Sequence, residues 1–273
     1  MRYPAVILRS FLDFLRDDGL MLAGSISFFT MTALVPFCLF LVTLFGYLLG
    51  ENRDFYQFFL SKLVGFFPKI TSEITEELKR IITYKGIGKF SLVLYSVISF
   101  GLFSTVETSI NTIFRTREKR RFIVSLILSV VVVTCVMSAL FIAFATASAV
   151  SMLKHMREFF PGFEPGRVAA FLLRFVVPLL LVFLIVMILY WFLPRKKVRL
   201  RHALSGALFT ALFLDAAKHL FTLYVVKVAG LGTIYGPLSV FVIFLLWVFY
   251  SSCIFLIGAE MVRNLGASKG GNT

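Results

Sequence analysis

The sequence predicts an all-α, polytopic membrane protein with six transmembrane helices and short interfacial amphipathic helices. Of its 273 residues, 59% are apolar and only 15% are charged, and the mean hydropathy is +0.92. A soluble domain is typically about half apolar and a quarter charged. Crossing a bilayer core takes roughly 20 helical residues. Six apolar stretches are long enough: 20–49, 90–114, 122–151, 168–193, 202–226 and 235–263.

The chain begins with an amphipathic segment, 1–19, which we expect to lie in the cytoplasmic membrane interface. Its apolar residues share one helical face, and Arg9, Asp13 and Arg16 lie opposite. This pattern is typical of interfacial helices. The apolar run that follows is too long for a cleavable signal peptide, so we expect it to be retained as the first span.

The six-helix transmembrane domain covers 20–265, and 266–273 form a cytoplasmic tail. The one sizeable polar connection is 50–89, on the outer face. Its first half is rich in phenylalanine, and in its second half, TSEITEELKR, acidic residues precede basic ones, an order that complements a helix dipole. We expect two short helices here, too small for an independent enzyme domain.

Basic residues in the connections predict the orientation. The turns 115–121 and 195–201 each carry five Lys or Arg, whereas the loops after the third and fifth stretches carry three and one. The positive-inside rule then places both termini in the cytoplasm. The net charge of +14 is mainly this orientation signal. It also attracts anionic lipid head groups to the basic turns, whereas no pattern for nucleic acid binding is present.

Three polar residues lie in the middle of the fifth apolar stretch. Asp215 is roughly 17–20 Å from either end, near the bilayer midplane. A charge there costs at least ~2.5–3.5 kcal/mol, so we expect it to face the bundle interior or a water-filled cavity. Lys218 and His219 share its helical face. A functional pathway and a local ion pair both fit. Small residues precede Asp215 at four-residue spacing: Ala203, Ala207 and Ala211.

Other polar residues inside the apolar stretches are further candidates. Glu107 and Asn111 are four apart on one helical face, so they could bind a cation or proton, or hydrogen-bond a neighbouring helix. The spacing of Glu260 and Arg263, near the cytoplasmic boundary, suits an intrahelical salt bridge. Arg174 either snorkels to the outer interface or reaches a carboxylate.

Prolines interrupt the first and fourth stretches, at Pro36 and Pro178. A proline frees a carbonyl one turn back, which is tolerated where protein or a wet cavity satisfies it. The shared position is compatible with an inverted repeat of two three-helix halves, but one shared proline does not establish it, and coincidence is the default explanation.

The motifs of soluble enzymes are missing from the sequence. It has no GxxxxGK[ST], HExxH or GxSxG, and its three histidines fall on different segments. The cysteines, Cys38, Cys135 and Cys253, lie inside predicted spans without metal-ligand spacing. We therefore expect no metal site, no cofactor and no enzymatic activity.

Three parts of the chain resemble the YihY/BrkB family of bacterial inner-membrane proteins, once labelled ribonuclease BN. They are AGSISFFTMTALVPF (23–37), ETSINTIFRTREKRR (107–121) and most of 193–260, including Trp247 and Gly258-Ala259-Glu260. The resemblance implies six spans, an inner-membrane location and transport of lipid or envelope components rather than nuclease activity. Gly24 and Ser27 depart from it, because they stand where the family usually has alanine.

Our leading hypothesis is a secondary transporter or flippase-like exporter of an amphipathic or anionic envelope or lipid compound. The alternative is a membrane scaffold that holds partners or lipids without transporting them, and a ribonuclease comes third. The expected partners are membrane lipids and an unknown transported compound. The sequence leaves open whether the protein forms a homo-oligomer.

Reporter fusions test the predicted orientation. A reporter placed after Thr273 and one placed within 70–85 should report opposite compartments, because the basic turns share the cytoplasmic side with both termini. Finding both reporters in one compartment would defeat the six-span topology.

Overall fold

The computed structural model describes residues 3–33, 87–116, 175–227 and 239–267, together with 124, 127 and 138. All regular secondary structure within these residues is helical. The helices are α1 (Tyr3–Arg16), α2 (Gly19–Ala33), α3 (Ile87–Ile113), α4 (Val177–Phe192), α5 (Leu200–Lys227) and α6 (Ser239–Ala267).

The described part of the chain is helical, as the predicted all-α class requires. Within α5 and α6, Leu200–Phe221 and Phe241–Ala267 are long and apolar enough to cross a membrane, while α2 and α4 are shorter apolar helices. Six membrane crossings remain a prediction. Most of the predicted third span, 122–151, and of the outer connection, 50–89, lies outside the described residues.

Internal contacts divide the chain into two compact units. The first contains Met1–Leu20, Glu107–His219 and Cys253–Thr273, and the second contains Met21–Val106 and Leu220–Ser252. In the second unit, α2 and α3 approach closely where the ring of Phe29 lies against Gly101, since a Cβ there would be 3.1 Å from the ring. In the same unit the rings of Phe221 and Trp247 lie 5.2 Å apart, which joins α5 to α6.

Helices α4, α5 and α6 pack around Tyr190 in the first unit. This residue is fully buried, and its hydroxyl shares a 2.8 Å hydrogen bond with Thr210 and donates to the carbonyl of Phe255. Its ring also stacks on Phe255, with centroids 5.2 Å apart. Gly258 leaves the space for this contact, because a Cβ there would overlap both hydroxyl oxygens. The alanine stripe of α5 is buried here, as its spacing predicted: Ala203, Ala207 and Ala211.

Helix α1 buries a stripe of Val6, Ser10 and Phe14 and leaves apolar residues such as Leu8 and Leu12 exposed, at 64% and 58%. The chain then turns sharply through Asp17 and Asp18, where Asp18 has a φ of +54°. An exposed apolar face is typical of interfacial helices, and the interfacial location of α1 stays a prediction.

Packing at Gly258 predicts a loss of stability in Gly258→Ala. The added methyl must displace Tyr190 or Thr210, and overpacking of this kind typically costs about 1–3 kcal/mol. Gly24→Ala is the matched control, because nothing lies within 4 Å of a Cβ at Gly24 and alanine is the better helix former. In thermal unfolding of the detergent-solubilised protein, Gly258→Ala should lower Tm and Gly24→Ala should not. Equal Tm values would contradict the close packing.

Candidate functional site

Arg263 is the centre of a cluster of charged side chains, the Arg263 cluster, which consists of Asp13, Asp17, Arg115, Glu260 and Arg263. Its guanidinium nitrogens lie 2.6 Å from Asp17 Oδ2, 2.7 Å from Glu260 Oε2 and 3.0 Å from Asp13 Oδ2. Its Nη1 also donates to the carbonyl at the end of α3, on Ile113, at 2.6 Å. One side chain thus connects α1, the turn after α1, the end of α3 and α6.

Asp17 has a second cationic partner in this cluster. Arg115, which follows α3 with a φ of +50°, donates to both carboxylate oxygens of Asp17 at 2.9 and 3.2 Å. Burial pushes the pKa of Asp17 upward, but the hydrogen bonds from Arg115 and Arg263 outweigh it and hold the pKa below its ordinary value. The same contact raises the pKa of Arg115. Asp17 is therefore an ionised carboxylate.

Asp13 is held from the other side by Asn264, whose amide donates to Asp13 Oδ2 at 3.0 Å and to Ser10 Oγ at 3.2 Å. The sequence pattern placed Asp13 on the polar face of α1 and indicated no partner for it. Asp13 points towards α6, with only 15% of its side chain exposed, because Arg263 and Asn264 satisfy it there. The apolar face of α1 is exposed instead.

Glu260 forms the intrahelical pair with Arg263 that its spacing predicted. Glu260 is fully buried, and neither of its carboxylate oxygens accepts a hydrogen bond from the described residues. The contacts that Arg263 makes with Asp13 and Asp17 were not predicted from the sequence. About 250 positions separate Arg263 from Asp13 and Asp17, and no local spacing indicates such a contact.

Glu107 and Asn111 hold the turn after α4 against α3. The side chain of Asn111 accepts from the Arg195 backbone N–H at 2.9 Å and donates to the carbonyl of Leu193 at 3.5 Å. Glu107 Oε1 accepts from the Arg195 guanidinium at 3.3 Å. Both residues are buried. Of the two readings of this pair, hydrogen bonding to a neighbouring segment matches the geometry; the partner is the turn at 193–195.

Asp215 and Lys218 form an ion pair on the surface of α5. Lys218 Nζ donates to Asp215 Oδ1 at 2.6 Å, and the two side chains are 54% (Lys218) and 42% (Asp215) exposed. The neighbouring His219 is exposed as well. This differs from a position in the bundle interior, one of the two surroundings expected for Asp215, and the other, a water-filled cavity, stays a prediction. The spacing explains the difference, because a pair formed within one turn partly offsets both charges without a second helix.

The remaining predicted residues contribute less to these sites. Pro178 lies in the first turn of α4, where proline is tolerated, just after a wide π-helical turn at 175–176. Pro36 and Arg174 lie outside the described residues. Among the described ranges, no group of three or more His, Cys, Asp or Glu is arranged to hold a metal ion.

Known proteins with similar sequences are membrane proteins. The chain is 46% identical over 80 residues to a UPF0761 membrane protein of Pseudomonas aeruginosa and 48% identical over 80 residues to one of Azotobacter vinelandii. Each alignment covers 29% of this chain and 20% of the relative, so the chain matches about a fifth of the length of these proteins. No solved structure matches it.

A family model gives much longer coverage than these pairwise alignments. The model described as Virulence factor BrkB matches residues 10–271, which include the Arg263 cluster, the contacts of Glu107 and Asn111, and the Asp215–Lys218 pair. Because the match spans nearly the whole chain, this membrane protein belongs to the BrkB family.

Proposed function

We propose that the protein is a secondary transporter or flippase-like exporter of the bacterial inner membrane, and that it moves an amphipathic, anionic envelope or lipid compound. The observation that carries this proposal is the Asp215–Lys218 pair. It lies in the middle part of a helix of membrane-spanning length, and about half of each side chain is exposed.

The cost of the pair supports a role beyond stability. A charged side chain at the centre of a membrane helix costs at least ~2.5–3.5 kcal/mol, and an ion pair removed from water is often no more stabilising than apolar residues of similar size. Apolar side chains at both positions would therefore suit a purely structural helix better. An accessible ion pair at this position is explained if its charged groups bind a substrate.

The surroundings of the pair fit an amphipathic anion. Lys218 is an ammonium donor beside the exposed His219, and an anionic head group can replace Asp215 as its partner. One and two turns before Asp215, Leu212 and Leu208 expose half of their surfaces, at 50% and 53%. A hydrocarbon tail can lie along these leucines while its head group contacts Lys218. This arrangement requires no cofactor.

A second candidate, a non-transporting scaffold, is favoured by a different observation. In the Arg263 cluster and around Glu107, charges are enclosed and bonded to neighbouring segments, as in a bundle that stays closed. Such a protein would use the exposed apolar face of α1 and the basic turns to hold lipids or other proteins. Under either candidate we expect no nucleic acid partner and no enzymatic activity.

Lipid movement in proteoliposomes separates the two candidates. The wild-type protein should move fluorescently labelled phosphatidylglycerol across the bilayer faster than labelled phosphatidylcholine, as measured by dithionite quenching. The double variant Asp215→Asn with Lys218→Met removes both charges, so no buried charge is left uncompensated. It should fold with a Tm near that of the wild type. It should also slow the anionic probe about tenfold or more, because a hydrogen bond to a charged group contributes about 1.5–3 kcal/mol.

Lys197→Met serves as the matched control, because it removes an exposed lysine from the turn before α5 and should leave the rate unchanged. A double variant that moves the anionic probe at the wild-type rate would contradict a transport role for the pair. The same conclusion would follow if the wild-type protein moved neither probe.

A further inference from the structure

The Arg263 cluster contains more acidic than basic groups. Asp13, Asp17 and Glu260 face two guanidinium groups, those of Arg115 and Arg263. If every group were ionised, the five side chains would carry a net charge of minus one. Arg9 lies 3.7 Å from Asp13, but its side chain is 60% exposed, so water screens most of its effect.

The excess acidic group can be identified from the hydrogen bonds. Asp13 accepts from Asn264, and Asp17 accepts from both Arg115 and Arg263. Glu260 accepts none, although it is the most deeply buried of the three. Its contact with Arg263, at 2.7 Å, is shared, because the same Nη2 also lies 3.0 Å from Asp13. An ionised carboxylate buried with so little compensation is unfavourable.

The carboxylate of Asp17 cannot donate a hydrogen bond to Glu260, but it can accept one from it. The two carboxyl groups lie against the same guanidinium, since nitrogens of Arg263 are 2.6 Å from Asp17 Oδ2 and 2.7 Å from Glu260 Oε2. Asp17 stays ionised because Arg115 and Arg263 both donate to it. We propose that Glu260 binds one proton and donates it in a hydrogen bond to the carboxylate of Asp17, so that the cluster is neutral as a whole.

The bound proton has a structural consequence that does not depend on the proposed transport activity. It adds a bond from α6 to the turn after α1, next to the bonds that Arg263 already makes. Among the described residues, the charged groups that face it come from four segments: Asp13 from α1, Asp17 from the turn, Arg115 from the end of α3, and Arg263 from α6 itself. Arg115 has 59% of its side chain exposed, so protons can reach the cluster from its side.

Infrared spectroscopy of the purified, detergent-solubilised full-length protein tests this proposal directly, because a protonated carboxyl group has a C=O stretching band that a carboxylate lacks. The wild-type spectrum at neutral pH should contain this band, and the difference spectrum between wild type and Glu260→Gln should show the loss of one protonated carboxyl group. Raising the pH should remove the same band from the wild type. Identical spectra for wild type and Glu260→Gln would overturn the proposal, as would a wild-type spectrum with no such band.

Glu107→Gln is the matched control, because Glu107 is also a buried carboxylate but has Arg195 as a partner. It should keep the band and lower Tm, since the guanidinium loses its anion. Glu260→Gln should have a Tm near that of the wild type at neutral pH, because the glutamine amide can donate to Asp17 in place of the proton. If Glu260→Gln lowered Tm as much as Glu107→Gln, Glu260 would be an ionised partner of Arg263 and the proposal would be wrong.

Asp17→Asn provides a second spectroscopic test, should Glu260→Gln not be obtained as a folded protein. It replaces an ionised acceptor with a neutral one, so the hydrogen bond from Glu260 weakens and the C=O band of the wild type should move. A band at an unchanged position would show that the proton is not donated to Asp17.

Discussion

The guanidinium of Arg263 contacts three carboxyl groups and one backbone carbonyl, and the position of α1 depends on it. A helix of 14 residues such as α1 is only marginally stable by itself in water. Its buried stripe is narrow, consisting mainly of Val6, Ser10 and Phe14. Arg263 and Asn264 provide the polar contacts that fix it to α6. Arginine suits this position because its planar fork carries five donors, whereas lysine has three on a single nitrogen.

The packing of α4, α5 and α6 makes this arrangement feasible. Gly206 and Gly258 allow the helices to approach closely, and Tyr190 fills the space between them with a ring and a bonded hydroxyl. Close packing of small residues is the main attraction available between membrane helices, since lipid is as apolar as their side chains. It places α6 against α4 and α5 at Gly258, two residues before Glu260. The charged cluster is therefore a product of the apolar packing next to it.

Features with short sequence separation could be predicted, and features with long separation could not. The helical class, the alanine stripe of α5 and the pairs Glu260–Arg263 and Asp215–Lys218 follow from helical periodicity, which relates residues three or four apart. Arg195 lies 88 positions from Glu107 and Arg263 lies 246 from Asp17, and no periodicity connects them. The burial of Asp13 was missed for the same reason. Its place on the polar face of α1 did not indicate its partner, which is Arg263 on α6.

The Arg263 cluster and the Asp215–Lys218 pair use charge differently, so removing charged groups should affect the protein differently at the two places. In the Arg263 cluster Asp17 pairs with arginines of two other segments, so deleting its charge leaves Arg263 without this partner. The Asp215–Lys218 pair is contained in one turn of α5. Deleting both of its charges leaves no unpaired group between them. The pair is therefore the feature on which the proposed transport function rests, since both of its charges lie within one turn of a membrane-length helix.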